Sequence, residues 1–470
     1  MSARAAPFAI APAAAVPTLA ARRAAAGRDR RHRADTRRRY HAAMPSIVLA
    51  ARAALLASLL PLAACAASAP RDPPPADTPL LLVSIDSFRA SYLDLGLTPN
   101  LQRIADQGVR AQWINPSYPT QTFPNHYTLV TGLRPDHHGV IHNMMRDPEL
   151  GRFRVNDPAA IGDERWWNGG EPIWIGAQNA GLRGATMLWP GGEAPNHGQH
   201  ASRWRAFDPK ISEMARVEQV LKWLDEPAAT RPHVTALYFD SLDKQSHDYG
   251  PNSPQARAAM QRIDSALGRL IDTLAARGEL DRTNLIVVSD HGMAEVAPER
   301  RIAVEDMVTV QEAVVTSTGQ SIGIAPNQGY EAQVERRLLG KHDHYECWRK
   351  GELPARWQYG THPRIPPIVC QMQEGWDAIE REVLAKARPG QTRGSHGYDP
   401  ALPSMRAIFI ARGPAFRQGA TIPAFDNVDV YPLLARLLGI APARNDGDIA
   451  PLLPALKAET AETAETAEKK

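Results

Sequence analysis

Leu80-Leu-Leu-Val-Ser-Ile85-Asp86 is the stretch that decides the fold. Five of its first six residues are apolar, with no alternation, as expected of a central parallel strand buried on both faces. Val234 to Phe239 and Asn284-Leu-Ile-Val-Val-Ser289 have the same character, and residues 185–188 and 407–411 read as further strands. Helical patterns lie between them. Residues 99–107 have Pro99 early and Gly108 as the stop. Residues 254–276 put Met260, Ile263, Leu267, Leu270, Ile271 and Leu274 on one face. Residues 171–180 and 428–438 also read as helices. Strands alternating with helices predict an α/β fold, a central mostly parallel sheet flanked by helices. Residues 300–375, short strands and loops around two cysteines, predict a smaller inserted subdomain.

Three of the strands lead into groups able to bind metal. Asp86 follows the first. Asp243 and His247 lie in Asp243-Lys-Gln-Ser-His-Asp-Tyr-Gly-Pro251, read as a loop. Asp290 and His291 follow Ser289. The carboxyl ends of parallel strands face one crevice. His396, in the Gly-flanked loop Gly394-Ser-His-Gly397, can join them. Three Asp and three His without Cys suit a borderline divalent ion such as zinc. For any one of these Asp residues a cap or turn is the ordinary alternative. His126, His137, His138, His342, His344 and His362 are read as packing or surface residues.

A candidate nucleophile lies in Asn115-Pro-Ser-Tyr-Pro-Thr-Gln-Thr-Phe-Pro-Asn-His126. Pro119 and Pro124 favour turns, and a helix-like run from Asn125 ends at Gly132 and Pro135. This places Thr122 in a tight turn ahead of a helix N-terminus, where an anion is favoured. Its hydroxyl can attack phosphorus if something makes it an alkoxide. Otherwise Thr122 merely caps the helix.

With 470 residues, 43% of them hydrophobic, the chain can bury one large core. Its formal charge of +3 is uneven: residues 1–43 hold ten Arg against Asp29 and Asp35, and Arg52 adds another, which leaves −6 from Cys65 onward. The body therefore gives no sign of nucleic-acid binding. Residues 1–43 read as an Arg-rich leader or a mis-called start, with Arg37-Arg-Arg39 resembling a twin-arginine signal. Residues 44–65 read as an export signal whose end, Leu62-Ala-Ala-Cys65, resembles a lipoprotein cleavage box with Cys65 as lipid anchor; plain cleavage is the competitor. Residues 66–79 form a proline-rich linker, 80–448 the catalytic domain and 449–470 a low-complexity tail. The expected location is periplasmic or outer-membrane-anchored in a bacterium, with secretion as the alternative. Past Cys65 the cysteines are Cys347 and Cys370. Such a pair in an oxidising compartment suggests a disulfide, with unpaired structural cysteines as the alternative.

Together these motifs resemble the nucleotide pyrophosphatase/phosphodiesterase family of the alkaline phosphatase superfamily. The likeness is carried by Ile85-Asp-Ser-Phe-Arg89, Thr122-Phe-Pro-Asn-His-Tyr-Thr-Leu-Val-Thr-Gly132, Pro135-Asp-His-His-Gly139, Asn143 and Glu171-Pro-Ile-Trp174. It continues through Asp243, His247, Gly250-Pro251, Ser289-Asp-His-Gly292, Ser395-His-Gly397 and Asn445-Asp-Gly447, in family order over residues 80–448. The resemblance implies two zinc ions. Asp243, His247 and His396 hold one; Asp86, Asp290, His291 and the nucleophile Thr122 hold the other. It assigns Asn143 and the amide after the nucleophile to a phosphoryl oxygen, and Phe123 and Tyr238 to stacking on a nucleobase. Ser246 departs from the family, which has Gly there.

The implied activity is hydrolysis of nucleotide phosphodiester or pyrophosphate bonds through a covalent phospho-threonine. Two divalent ions outweigh three Asp carboxylates by about one charge, which suits a singly charged diester better than a monoester dianion. Alternatives are a phosphocholine-lipid diesterase of the same family, a phosphomonoesterase, and a catalytically dead surface lipoprotein. The last is disfavoured by the complete ligand set. Oligomeric state is not legible.

Overall fold

All six residues of Leu80–Ile85 (β1) are buried, and the strand runs through the middle of an eight-stranded sheet. The computed structural model describes residues 78–386 and 389–458, which belong to one unit, Asp72–Lys470. The leader, the export signal with Cys65, the linker up to residue 77 and the tail from residue 459 lie outside the described residues.

The other strands are Val109–Ala111 (β2), Gly184–Met187 (β3), Arg203–Arg205 (β4), Val234–Phe239 (β5), Asn284–Val288 (β6), Phe409–Arg412 (β7) and Ala420–Ile422 (β8). They run in the order β8-β2-β7-β6-β1-β5-β3-β4. Only β7 is antiparallel to its neighbours, β6 and β2. The register sets Val83 of β1 between Leu237 of β5 and Val287 of β6, so the three apolar runs make one continuous layer. The fold is thus α/β, with the mostly parallel sheet expected.

Helices cover the sheet: Pro99–Asp106 (α1), Thr122–Thr131 (α2), Glu213–Leu224 (α3), Ser241–Tyr249 (α4) and Pro254–Ala276 (α5). The apolar stripe of α5, from Met260 to Leu274, is fully buried. Asp264 on its inner face accepts the Leu101 N–H at 2.9 Å and the Asn100 N–H at 3.2 Å, partnering first-turn donors of α1 that have none within the helix.

Residues 300–375 build a second sheet of five strands with its own core around Ile322, Ile324, Leu338, Ile368 and Met372. Cys347 and Cys370 face each other across neighbouring antiparallel strands, Tyr345–Arg349 and Ile368–Met372, and are joined by a disulfide with Cα atoms 4.0 Å apart. The hairpin they staple reaches back to the catalytic body. There Asp136 accepts the N–H groups of Gly360, Thr361 and His362 at 2.8 to 3.0 Å.

Four expectations need correction. The segment after β5 is helix α4, not a loop. Helix α2 begins at Thr122 rather than at Asn125, with Pro124 as its third residue; first-turn N–H groups lack intrahelical partners, so a proline there forfeits no hydrogen bond. Residues 393–395 form a short strand paired with Ala294–Val296 ahead of the His396 turn. The packed body also runs beyond residue 448: Ala450–Ala455 is a short 3-10 helix, and Leu452 and Leu456 are fully buried.

Candidate active site

Because β6, β1 and β5 are adjacent and parallel, Asp290, Asp86 and the start of α4 emerge side by side at one edge of the sheet. In α4, Asp243 and His247 are four residues apart and share a helix face. His396 is brought in by the strand Arg393–Ser395, which lies so close to α4 that a Cβ on Gly394 would sit 2.5 Å from the Ser246 carbonyl oxygen. Ser246 itself is fully buried, and the helix stays regular through it. Ser87 links the strand ends. It turns into the left-handed region, φ 64°, rare for residues with a Cβ, and its N–H reaches Asp290 at 3.2 Å while its hydroxyl donates to Asp243 at 2.6 Å.

Each of the three imidazoles is pinned by a backbone carbonyl. His247 Nδ1 donates to Gly394 O at 2.9 Å, His396 Nδ1 to Thr120 O at 2.9 Å, and His291 Nδ1 to Gly292 O at 2.8 Å. A carbonyl only accepts, so Nδ1 carries the proton and Nε2 presents its lone pair. Those Nε2 atoms point at carboxylates: His247 and His396 lie 3.4 and 3.6 Å from Asp243, and His291 lies 2.9 Å from Asp290 and 3.6 Å from Asp86. Three groupings of ligand atoms follow, Asp243–His247–His396, Asp86–Asp243–His291 and Asp86–His126–Asp290, each within 4.8 Å. Asp290 adjoins the second.

The electrostatics mark an intended cation. Burial, then the neighbouring charges of Asp290 and Asp243, pushes the Asp86 carboxyl well above its ordinary range. Burial acts to raise Asp290 too but is outweighed by His291 and His126, which hold it well below. Burial, then His291 and His247, holds His396 well below the imidazole range. Asp86, Asp243 and Asp290 lie close enough to repel one another. Asp290 Oδ2 is fully buried and makes no hydrogen bond. An orphaned carboxylate oxygen, aligned Nε2 lone pairs and carbonyl-fixed tautomers fit divalent metal ions.

Thr122, the first residue of α2, points its hydroxyl at this cluster, with Oγ1 3.3 Å from His291 Nε2. It makes no capping bond; the residue before the helix, Gln121, makes none either. The Phe123 N–H donates to Asn143 Oδ1 at 2.9 Å, so both groups assigned to a phosphoryl oxygen stand together beside Thr122. Thr122, Phe123 and Asn143 line a cavity of about 330 Å³ with Asp86, Asp243, His247 and His396.

Tyr238 lines that cavity but is not a free stacking platform. Its hydroxyl donates to Asp86 Oδ2 at 2.5 Å, its ring packs edge-on to His126, and it is only 5% exposed. The ring that offers itself is Phe207, 41% exposed at the cavity wall and 6.2 Å from Tyr238. Phe207 follows edge strand β4, where neither periodicity nor motif singled it out. Glu193 holds it by accepting the Phe207 N–H at 3.1 Å, and burial pushes the Glu193 carboxyl up. His126, read as packing, is buried between Thr122 and Asp290. Its Nδ1 donates to Thr122 O at 2.8 Å and lies 3.3 Å from Asp290, while its Nε2 accepts from Ser84 Oγ at 2.8 Å. With both nitrogens engaged, His126 braces Thr122 and Asp290. His137, His138, His342, His344 and His362 lie away from the cavity.

Comparison with known proteins agrees with this geometry. Residues 80–399 match the profile of the family described as type I phosphodiesterase/nucleotide pyrophosphatase. A fission-yeast (Schizosaccharomyces pombe) pyrophosphatase/phosphodiesterase is 34% identical over 380 residues, 78% of each chain. Human ectonucleotide pyrophosphatase/phosphodiesterase family member 5 is 33% identical, covering 82% of this chain and 80% of its own. Longer relatives are matched over less than half their length, 47% for a rattlesnake (Crotalus durissus collilineatus) venom phosphodiesterase and 43% for bovine family member 3. The structure of murine family member 5, an inactive threonine-to-alanine variant in complex with AMP, superposes with a TM-score of 0.76 at 32% identity, covering 81% of this chain and all of that one. Sequence, fold and the clustered Asp, His and Thr side chains converge: this chain belongs to the type I phosphodiesterase/nucleotide pyrophosphatase family of the alkaline phosphatase superfamily.

Proposed function

We propose that the protein is a two-zinc nucleotide phosphodiesterase/pyrophosphatase that works through a covalent phospho-Thr122 intermediate. One observation carries the reading: three carbonyl-pinned imidazoles aim Nε2 at the Asp86, Asp243 and Asp290 carboxylates beside the Thr122 hydroxyl. Asp243, His247 and His396 hold one ion, and Asp86, Asp290, His291 and Thr122 the other. Bound zinc supplies the acidity that makes Thr122 an alkoxide at neutral pH and offsets charge on the leaving oxygen.

The chain's own groups do the rest. Thr122 Oγ forms a bond to phosphorus, and the opposite P–O bond breaks with its electron pair on the departing oxygen. The Asn143 amide and the Phe123 N–H steady a nonbridging oxygen. Water then attacks the phospho-threonine, restoring the hydroxyl and releasing a nucleoside monophosphate. Phe123 and Phe207 offer apolar ring faces to the base. Glu193 and Asp240 on the same wall favour the runner-up, a choline-phosphate diesterase, since carboxylates and rings also suit a quaternary ammonium. We further infer an exported protein with lipid on Cys65, from the Met44–Cys65 pattern, and small-molecule rather than nucleic-acid partners.

The test is to mix zinc-loaded enzyme with a phosphorus-labelled nucleotide diester, quench in acid and map the label. Label on Thr122, lost in Thr122→Ala, is expected; turnover by Thr122→Ala near the wild-type rate rejects the mechanism. A choline-phosphate diester with kcat/KM well above the nucleotide's moves the substrate to the runner-up.

A further inference from the structure

Among the residues lining the cavity, Lys244 is the single Lys or Arg. It follows Asp243 in α4 and lines the same cavity as Asp243, His247 and His396. Thr122 stands by the Asp86–Asp243–His291 grouping, with its hydroxyl on His291. Displacement in line at phosphorus puts entering and leaving oxygens on opposite sides. A group departing from Thr122's attack therefore leaves over the Asp243–His247–His396 end, past Lys244.

The ammonium is available there. It donates to Asp248 at 2.8 Å, an i,i+4 pair whose side chains are 63% and 46% exposed. Such exposed pairs contribute little to stability, so the flexible lysine stem can exchange Asp248 for a substrate oxygen. The wall's two carboxylates outside the Asp86 and Asp243 cluster are engaged elsewhere. Asp240 pairs with Arg216 at 2.7 Å, and Glu193 holds the Phe207 N–H. Among the described residues, no other Lys or Arg lines the cavity.

We propose that Lys244 is a specificity-determining residue that receives the leaving phosphate when the bond broken is a phosphoanhydride. It would favour nucleoside polyphosphates, and dinucleotides joined through pyrophosphate, over diesters that expel an alcohol or phenol. The inference rests on the function proposed above. With ATP, Thr122 Oγ bonds to the α-phosphorus, the hydroxyl proton passes to water, and the α–β bridging oxygen departs with its electron pair as part of pyrophosphate. Lys244 stays protonated and donates to nonbridging oxygens of that product. A nitrophenolate leaving group carries no such oxygens and has nothing for Lys244 to hold.

The test compares wild type, Lys244→Gln and Lys244→Arg, all zinc-loaded, on ATP and on the p-nitrophenyl ester of thymidine monophosphate. Loss of one charge-assisted contact should lower the ratio of kcat/KM for ATP to that for the ester about tenfold in Lys244→Gln, with Lys244→Arg retaining most of it. Inorganic pyrophosphate, titrated calorimetrically, should bind Lys244→Gln about tenfold more weakly. An unchanged ratio with unchanged pyrophosphate affinity overturns the role of Lys244 while wild-type turnover of both nucleotides stands. Wild type inactive on both nucleotides overturns the proposed function itself.

Discussion

Two aromatic side chains share the cavity wall and are set to different tasks by one hydroxyl. Tyr238 spends its hydroxyl on Asp86, and burial and the Asp86 charge together push its phenol well above the ordinary range, so it remains a donor. Tyr238→Phe removes that bond and should weaken metal binding about tenfold while changing nucleotide KM little, as losses of ligand-supporting partners do. Zinc titration and steady-state kinetics on one preparation check both halves. Phe207 has no polar handle and lies 41% exposed. Phe207→Ala should raise KM for nucleotide esters about tenfold, the equivalent of one base–aromatic contact, and leave zinc affinity unchanged. A KM shift in Tyr238→Phe without one in Phe207→Ala would reverse the assignment. The family resemblance pointed to Tyr238; nothing local to residue 207 announces a ring whose position comes from Glu193, fourteen residues earlier in the chain.

Helix α4 shows where legibility stops at the level of elements. The strands were readable because β1, β5 and β6 are buried along their whole lengths and permit only apolar residues. Helix α4 buries only Leu242 and Ser246, so it has no apolar stripe to find, and it is held by packing on α5 and on the strand carrying Gly394. Its ligands were identifiable as residue types; their shared helix face was not. The start of α2 was hidden by Pro124, which reads as a breaker until it is known to occupy the first turn.

The inserted hairpin was legible as short strands around a cysteine pair, but its tie to the body was not. Replacing both Cys347 and Cys370 by Ser should cost roughly 3 kcal/mol by the loop-entropy account, read as a shift in denaturant midpoint. Asp136 ties that hairpin to the body. Burial raises its carboxyl, but Thr361 and the N–H groups of residues 360–362 outweigh this and hold it below the usual value. A depressed carboxylate stabilises above its unfolded pKa, and the benefit is lost as pH falls through the lower folded value. Asp136→Ala should therefore lose about 2 kcal/mol at neutral pH, and its deficit against wild type should shrink toward pH 3. An equal deficit at both pH values would mean the loss is one of packing rather than charge.

For the whole molecule, the close Asp86, Asp243 and Asp290 carboxylates repel one another unless a cation lies between them. Zinc that binds only the folded chain should stabilise it by about 2.7 kcal/mol at a free concentration a hundredfold above Kd. The melting temperature should climb with the logarithm of zinc and fall on chelation. A melting curve indifferent to zinc, with binding verified by elemental analysis, would contradict the centre described.

The ligands of that centre are scattered along the chain, from Asp86 to His396, and are gathered only by strand pairing and by the docking of residues 393–396 against α4. Long-range pairings of this kind form late and together, because loop closure must precede the contacts that reward it. No fragment ending before His396 holds a finished centre. If the proposed function holds, a growing polypeptide would be harmless to the nucleotides around it, and hydrolysis would begin only where residues 393–396 have docked and metal can be captured.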